Sequence, residues 1–140
     1  MRVMVFVKSD ERVEAGALPD ERILTEVGRF NQTLVNAGVI LAGDGLTPSS
    51  NGVRIEWSTG RPTVIVGPFA EPKELVAGYW LWQVRSLDEA IEWVKRAPFG
   101  PGAVLELRPV VELDDLGAGL TPELRDQQER LRATVATRGA

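Results

Sequence analysis

The chain contains no cysteine and no histidine. The first absence removes disulfides, zinc–thiolate centres and thiol nucleophiles together. The second removes the side chain best matched to proton transfer near neutral pH, and with it Ser-His and Cys-His catalysis and imidazole-held metals. No window approaches the roughly 20 apolar residues that a membrane-spanning helix requires. The opening MRVMVFVKSD is charged too early for a secretory signal, so a soluble, cytoplasmic protein is expected, with no membrane partner. Basic clusters are missing as well: 16 Lys and Arg lie scattered against 20 Asp and Glu, for a net charge of −4. A binder of phosphate backbones needs a basic patch to release counterions, so no nucleic acid is expected as a partner. No metal and no cofactor are expected either. Gly43-Asp44-Gly45 lacks the Lys-Ser/Thr of a phosphate loop and reads as a turn. Asp114-Asp115 has no third ligand at a useful spacing.

What is present fits one domain of 140 residues, 44% hydrophobic and 26% charged. Arg2–Lys8 is rich in β-branched and apolar residues and reads as a strand. Glu11–Pro19 reads as an acidic loop. From Asp20, apolar Ile23, Val27, Phe30 and Leu34 recur on one helical face, and Gly38 suits the left-handed position that closes a helix. Val39–Ala42 is a short strand, and Val53–Trp57 with Thr63–Val66 forms a hairpin, Val53, Ile55 and Trp57 sharing one face. Gly78–Val84 is the clearest strand. Ser86 and Glu89 have capping-box spacing, opening a helix to about Ala97 that Pro98 stops. Ala103–Arg108 is a further strand, with Val110–Leu113 as its extension. Thr121-Pro122 caps a last helix running to about Thr137; it is poor in apolar residues and so weakly anchored.

This order is that of an α+β, ferredoxin-like antiparallel sheet with two helices on one face, an inserted β-hairpin and an extra C-terminal helix. A single domain over residues 1–140 is expected, with a core at 1–113 and an extension at 114–140. Two helices cover one face only, yet Tyr79, Leu81 and Gln83 oppose Trp80, Trp82 and Val84 on one strand, and both sets are bulky. An apolar second face is rarely left to water, so a homodimer is expected.

At VGPFAEPKELVAGYWLWQVRSLDEAIEWVKRAPF the chain resembles the YCII-related family, in its DGPF-domain branch. The residues that carry the resemblance are Gly67-Pro68-Phe69-Ala70-Glu71, Lys73-Glu74, Gly78-Tyr79-Trp80, Asp88-Glu89-Ala90, and the closing Glu106-x-Arg108-Pro109. It extends over about Met1–Leu113. Val66 stands where that branch has its leading Asp, and Pro72 where Thr or Ala is usual. The resemblance implies a dimeric α/β-barrel-like fold with a cleft where the motif loop meets the sheet. Relatives outside this branch carry a His-Asp pair linked to dehydrohalogenation or related proton abstraction, a mechanism closed to a chain without histidine. Genes of the branch often neighbour those of extracytoplasmic-function sigma factors.

The candidate site follows from Glu71, Lys73 and Glu74 on the loop, and from Glu106 and Arg108, which share a strand face because side chains two apart point the same way. If first and last strands adjoin, Met4, Phe6, Glu106 and Arg108 line one surface. In the functional reading, Glu71 or Glu106 moves a proton, Lys73 or Arg108 holds a small anionic ligand, and Glu74 and Tyr79 contribute to binding. In the architectural reading, the same charges cap, pair locally and knit a dimer. The expected function is accordingly a small lyase- or isomerase-like enzyme on a polar or anionic molecule. The alternative is a non-catalytic ligand-binding or accessory protein in a sigma-factor-linked stress pathway.

Overall fold

RVMVFVK forms β1 (Arg2–Lys8), and its alternation decides the architecture: Val3 and Val5 are fully buried while Met4 and Phe6 are half-buried on the opposite side. The computed structural model describes residues 1–139. Beside β1 lies β5 (Val76–Gln83), antiparallel, with Val5 opposite Trp80 and Val3 opposite Trp82. β6 (Leu105–Pro109) pairs with the other edge of β1, and β2 (Ile40–Gly45) with the outer edge of β5. The resulting order, β2-β5-β1-β6, is the split βαβ arrangement of a ferredoxin-like sheet.

α2 (Glu21–Asn36) and α3 (Leu87–Val94) form the crossovers and pack on the same face. Phe30 and Leu34 of α2 and Ala90 of α3 close over Val3, Val5, Trp80, Trp82 and Val84. The tryptophans therefore belong to the helix-covered side, and Tyr79, Leu81 and Gln83 to the open one. Asp20 caps α2 by accepting from the Ile23 amide at 2.9 Å. Gly38, at φ +70°, follows its end, so that closure is as expected. Ser86 caps α3 by accepting from the Glu89 amide at 3.2 Å. Glu89 completes the expected reach-back differently: its carboxylate meets the Arg85 guanidinium at 3.1 Å.

Three expectations are corrected. The 11–19 stretch is not all loop, because Asp10 accepts from the Val13 amide at 2.8 Å and starts a single helical turn, α1 (Glu11–Glu14). Gly43-Asp44-Gly45 is strand rather than turn, since a side chain at Gly43 would meet the Trp80 ring at 2.4 Å and only glycine lets β2 lie against it. Val110–Leu113 does not prolong β6, which ends at Pro109.

β3 (Val53–Glu56) and β4 (Thr63–Val66) form the inserted hairpin, a two-stranded sheet of its own. The chain divides into two compact units, Met1–Pro109 and Val110–Ala140. In the second, a 3₁₀ stretch (Leu113–Gly119) precedes α4 (Pro122–Arg138). Thr121 caps α4 through the Leu124 amide at 3.2 Å, and Arg125 and Arg132 pair with Asp114 and Glu112 at 2.9 and 3.3 Å. No residue of α4 is buried. Among the described residues no helix is long and apolar enough to cross a membrane.

Candidate functional site

The GPF corner is fixed by close approach. Gly67 donates its amide to the Gly52 carbonyl at 3.0 Å, and a Cβ on Gly67 would sit 1.8 Å from the Ser49 carbonyl oxygen. The Gly67–Pro68 peptide is cis. Phe69 then donates its amide to Ser49 Oγ at 3.0 Å, and that hydroxyl donates to the Glu14 carboxylate at 2.5 Å. Glu14 also accepts from the Ser49 amide at 3.0 Å. The Arg54 guanidinium of β3 lies 3.9 Å above the Phe69 ring, within cation–π range. Three segments far apart in sequence, α1, the 49–51 turn and the motif loop, are thereby tied at one point.

Beyond this knot the loop presents its charges. Glu71 adopts the left-handed conformation, φ 62° and ψ 69°, and opens a 3₁₀ turn over Pro72–Glu74 without capping it by its side chain. For a residue with a Cβ that geometry costs about 1–2 kcal/mol. Glu71, Pro72 and Lys73 line a concavity of about 570 Å³ together with Asp10, Glu11 and Arg12 from the start of α1. Among the described residues, the side chains of Arg12, Glu71 and Lys73 make no hydrogen bond or ion pair. The Glu74 side chain likewise has no such partner among the described residues, and its carbonyl accepts from Lys8 Nζ at 3.4 Å.

The other candidates occupy the open face of the sheet. Strand register places Asp44, Tyr79, Phe6 and Glu106 in one row and Ala42, Leu81, Met4 and Arg108 in the next. Met4, Phe6, Glu106 and Arg108 thus share a surface, as the strand parity implied. Tyr79 Oη donates to Asp44 Oδ2 at 3.4 Å, and Arg108 meets Glu106 at 3.3 Å. The expected pair Glu106–Arg108 is therefore local and exposed. Neither residue lines the concavity that holds Glu71 and Lys73. The candidates separate into two groups: unpaired charges at the loop, and paired charges on the sheet.

Sequence reasoning missed Arg12 and Glu14. The Asp10 cap was a legible sign of a turn there, but nothing local points Glu14 at a serine 35 positions away. A second, larger concavity of about 980 Å³ lies at the end of β5 and α3, lined by Arg85, Ser86, Glu89, Trp93 and Arg96 among others. Most of its charges are engaged: Arg85 pairs with Glu89, Glu92 pairs with Lys95, and Arg96 lies 4.7 Å from the Trp93 ring centre.

Comparison with known proteins places these features in context. Over 76 residues the chain is 33% identical to an uncharacterised protein of Rhizobium meliloti (strain 1021), an alignment covering 54% of this chain. The chain spans 61% of the length of that relative. Among solved structures, the 5-chloro-2-hydroxyhydroquinone dehydrochlorinase of Burkholderia phenoliruptrix AC1100, in complex with 2,5-dihydroxybenzoquinone, matches with a TM-score of 0.39 at 12% identity, covering 82% of this chain and 99% of that one. The model of the YCII-related domain matches residues 1–114, the whole sheet, both crossover helices and the hairpin between them, and the chain belongs to that family.

Proposed function

We propose that the chain is a small enzyme of the lyase or isomerase type that binds a polar molecule bearing a negative group in the concavity beside Glu71. The observation that carries this reading is the gathering of Arg12, Glu71 and Lys73 around one hollow, with none of the three side chains committed to a partner among the described residues. The two cations hold the negative group, and the acidic residues of the same rim accept from a hydroxyl or ammonium on the ligand. Glu71 takes a proton from the atom beside the anchored group, while Lys73 and Arg12 stabilise the charge that develops. The left-handed backbone of Glu71 supports this assignment, because strain of that kind gathers at functional sites.

One observation favours a second reading, binding without catalysis. Glu71 is exposed, whereas carboxylates that move protons are as a rule withdrawn from water. The two readings separate in one series. A thermal-shift screen with hydroxy acids, amino acids and inorganic phosphate is expected to find a stabilising ligand. Arg12→Ala and Lys73→Ala abolish the shift while leaving the unliganded midpoint in place. If no probe stabilises the protein, the site itself is lost. With a ligand in hand, NMR in deuterated water reads proton exchange: exchange lost in Glu71→Gln supports the enzyme, and no exchange in the wild type supports the binding protein.

A further inference from the structure

The hollow beside Glu71 lies between two segments that are tied to each other at both ends. At one end the Ser9 amide donates to the Leu75 carbonyl at 2.9 Å, and Ser9 is buried. At the other, the Glu14 carboxylate accepts from Ser49 Oγ at 2.5 Å, and Ser49 Oγ accepts from the Phe69 amide at 3.0 Å. Residues 9–14 and 69–75 therefore run side by side in opposite senses. Arg12 on the first, and Glu71 and Lys73 on the second, fall between the two ties and line the hollow there. The ties differ in kind. Ser9–Leu75 joins backbone to backbone and survives any truncation of a side chain. The far tie is a relay through one hydroxyl. Its middle member must donate to a carboxylate and accept from an amide at once, which a serine does and an alanine does not.

The relay matters because α1 has little else to hold it. It is a single turn of four residues, none of them buried, far below the length at which a helix stands alone in water. Among the described residues, Glu14 is the one member of α1 whose side chain hydrogen-bonds beyond the turn. Arg12 sits in that same turn, two residues before it. We propose that Glu14 and Ser49 are positioning residues of the ligand site: by holding the far end of α1 to the motif loop, they set the distance between Arg12 on one wall and Glu71 and Lys73 on the other. Neither lines the hollow, so both act through Arg12. With the relay cut, the turn remains fastened only at Ser9, and Arg12 moves away from Lys73, so the two cations no longer converge on one anionic group. The inference rests on the reading of the hollow as a ligand site and adds two residues outside it that govern its affinity.

The spacing can be read without any ligand. Because the chain has no cysteine, Arg12→Cys with Lys73→Cys takes a spin label on each wall, and double electron–electron resonance on the full chain measures the distance across the hollow. The labelled pair is expected to give one narrow distribution. Adding Ser49→Ala or Glu14→Ala broadens it and shifts it outward, whereas Ser49→Thr, which keeps the hydroxyl, leaves it narrow. Leu34→Ala is the control for lost stability alone: it weakens the core at least as much and leaves the spacing unchanged. In the unlabelled chain, affinity for inorganic phosphate, measured by calorimetry, is expected to fall at least about tenfold in Ser49→Ala and Glu14→Ala and to stay unchanged in Leu34→Ala. A spacing that neither relay variant moves overturns the proposal, as does one that Leu34→Ala moves equally. So does phosphate bound as tightly without the relay as with it. If the wild type binds neither phosphate nor any other screened probe, the ligand reading falls instead, and the spacing alone decides whether the relay sets the width of the hollow.

Discussion

Trp80 and Trp82 occupy one face of β5, touch the same Phe30 ring and are 5% and 0% exposed, yet their indole nitrogens fare differently. Trp80 Nε1 donates to Asn31 Oδ1 at 2.9 Å; Trp82 Nε1 is buried with no partner among the described residues. An unmet buried donor carries a desolvation cost of about 1–3 kcal/mol, and a made bond contributes about 1 kcal/mol. Both Trp→Phe replacements leave a small void, so their difference isolates the polar term. Trp80→Phe is expected to destabilise by about 2–4 kcal/mol more than Trp82→Phe in urea unfolding. Equal losses contradict this account. Gly67 makes a second prediction at the same scale. Its missing Cβ would stand 1.8 Å from a backbone carbonyl, which cannot swing aside as a side chain can. Gly67→Ala is therefore expected to cost about 3 kcal/mol or to displace the 49–51 turn. Ser49→Ala, which strands the Phe69 amide and one Glu14 oxygen, is expected to cost about 1–3 kcal/mol. An urea midpoint unmoved by either change removes the knot from the account.

At the scale of elements, α2 shows what periodicity can and cannot reveal. Ile23, Val27, Phe30 and Leu34 advertise a face, and Asp20 and Gly38 advertise its ends; all of that lies within a few residues and was legible. The depth of each position was not, because Ile23 is 39% exposed while Leu34 is fully buried, and burial depends on which strand lies beneath. Leu34→Ala is expected to cost about 2–5 kcal/mol, and its exposed neighbour Val35→Ala within about 0.5 kcal/mol; similar losses at both contradict the packing described. The hairpin and β5 were likewise readable from alternation. α1 was not, because one turn is too short to show a helical period. The 43–45 strand was hidden by its glycines, which in sequence signal a turn and in the fold make room for Trp80. For the candidate site, strand parity correctly grouped Glu106 with Arg108 and with Met4 and Phe6. What parity cannot give is where a loop sits, so Arg12 joined Glu71 and Lys73 only once α1 had its place, and Glu106 and Arg108 fell on another surface.

For the molecule as a whole, the distribution of burial decides which parts carry the fold. Among the described residues, every buried hydrophobic one, from Val3 to Ala90, lies within Met1–Pro109, and the family domain closes at residue 114. α4 contributes none: Leu124, Leu131 and Val135 are 43%, 52% and 70% exposed. Its own support is local, a Thr121 cap and exposed ion pairs such as Arg130–Asp126 at 3.3 Å, and pairs of that kind contribute under about 1 kcal/mol each. A helix of 17 residues without a buried face is marginal in water by itself. A chain ending at residue 114 is therefore expected to unfold cooperatively, with tryptophan emission and urea midpoint close to those of the full chain, since all four tryptophans precede the cut. Amide exchange on the full chain should show the same ordering, with α4 exchanging fast and β1 and β5 slowest. Loss of cooperative unfolding in the shortened chain, or α4 amides protected as strongly as those of β5, would mean that α4 supplies stability which its exposed side chains give no means of providing.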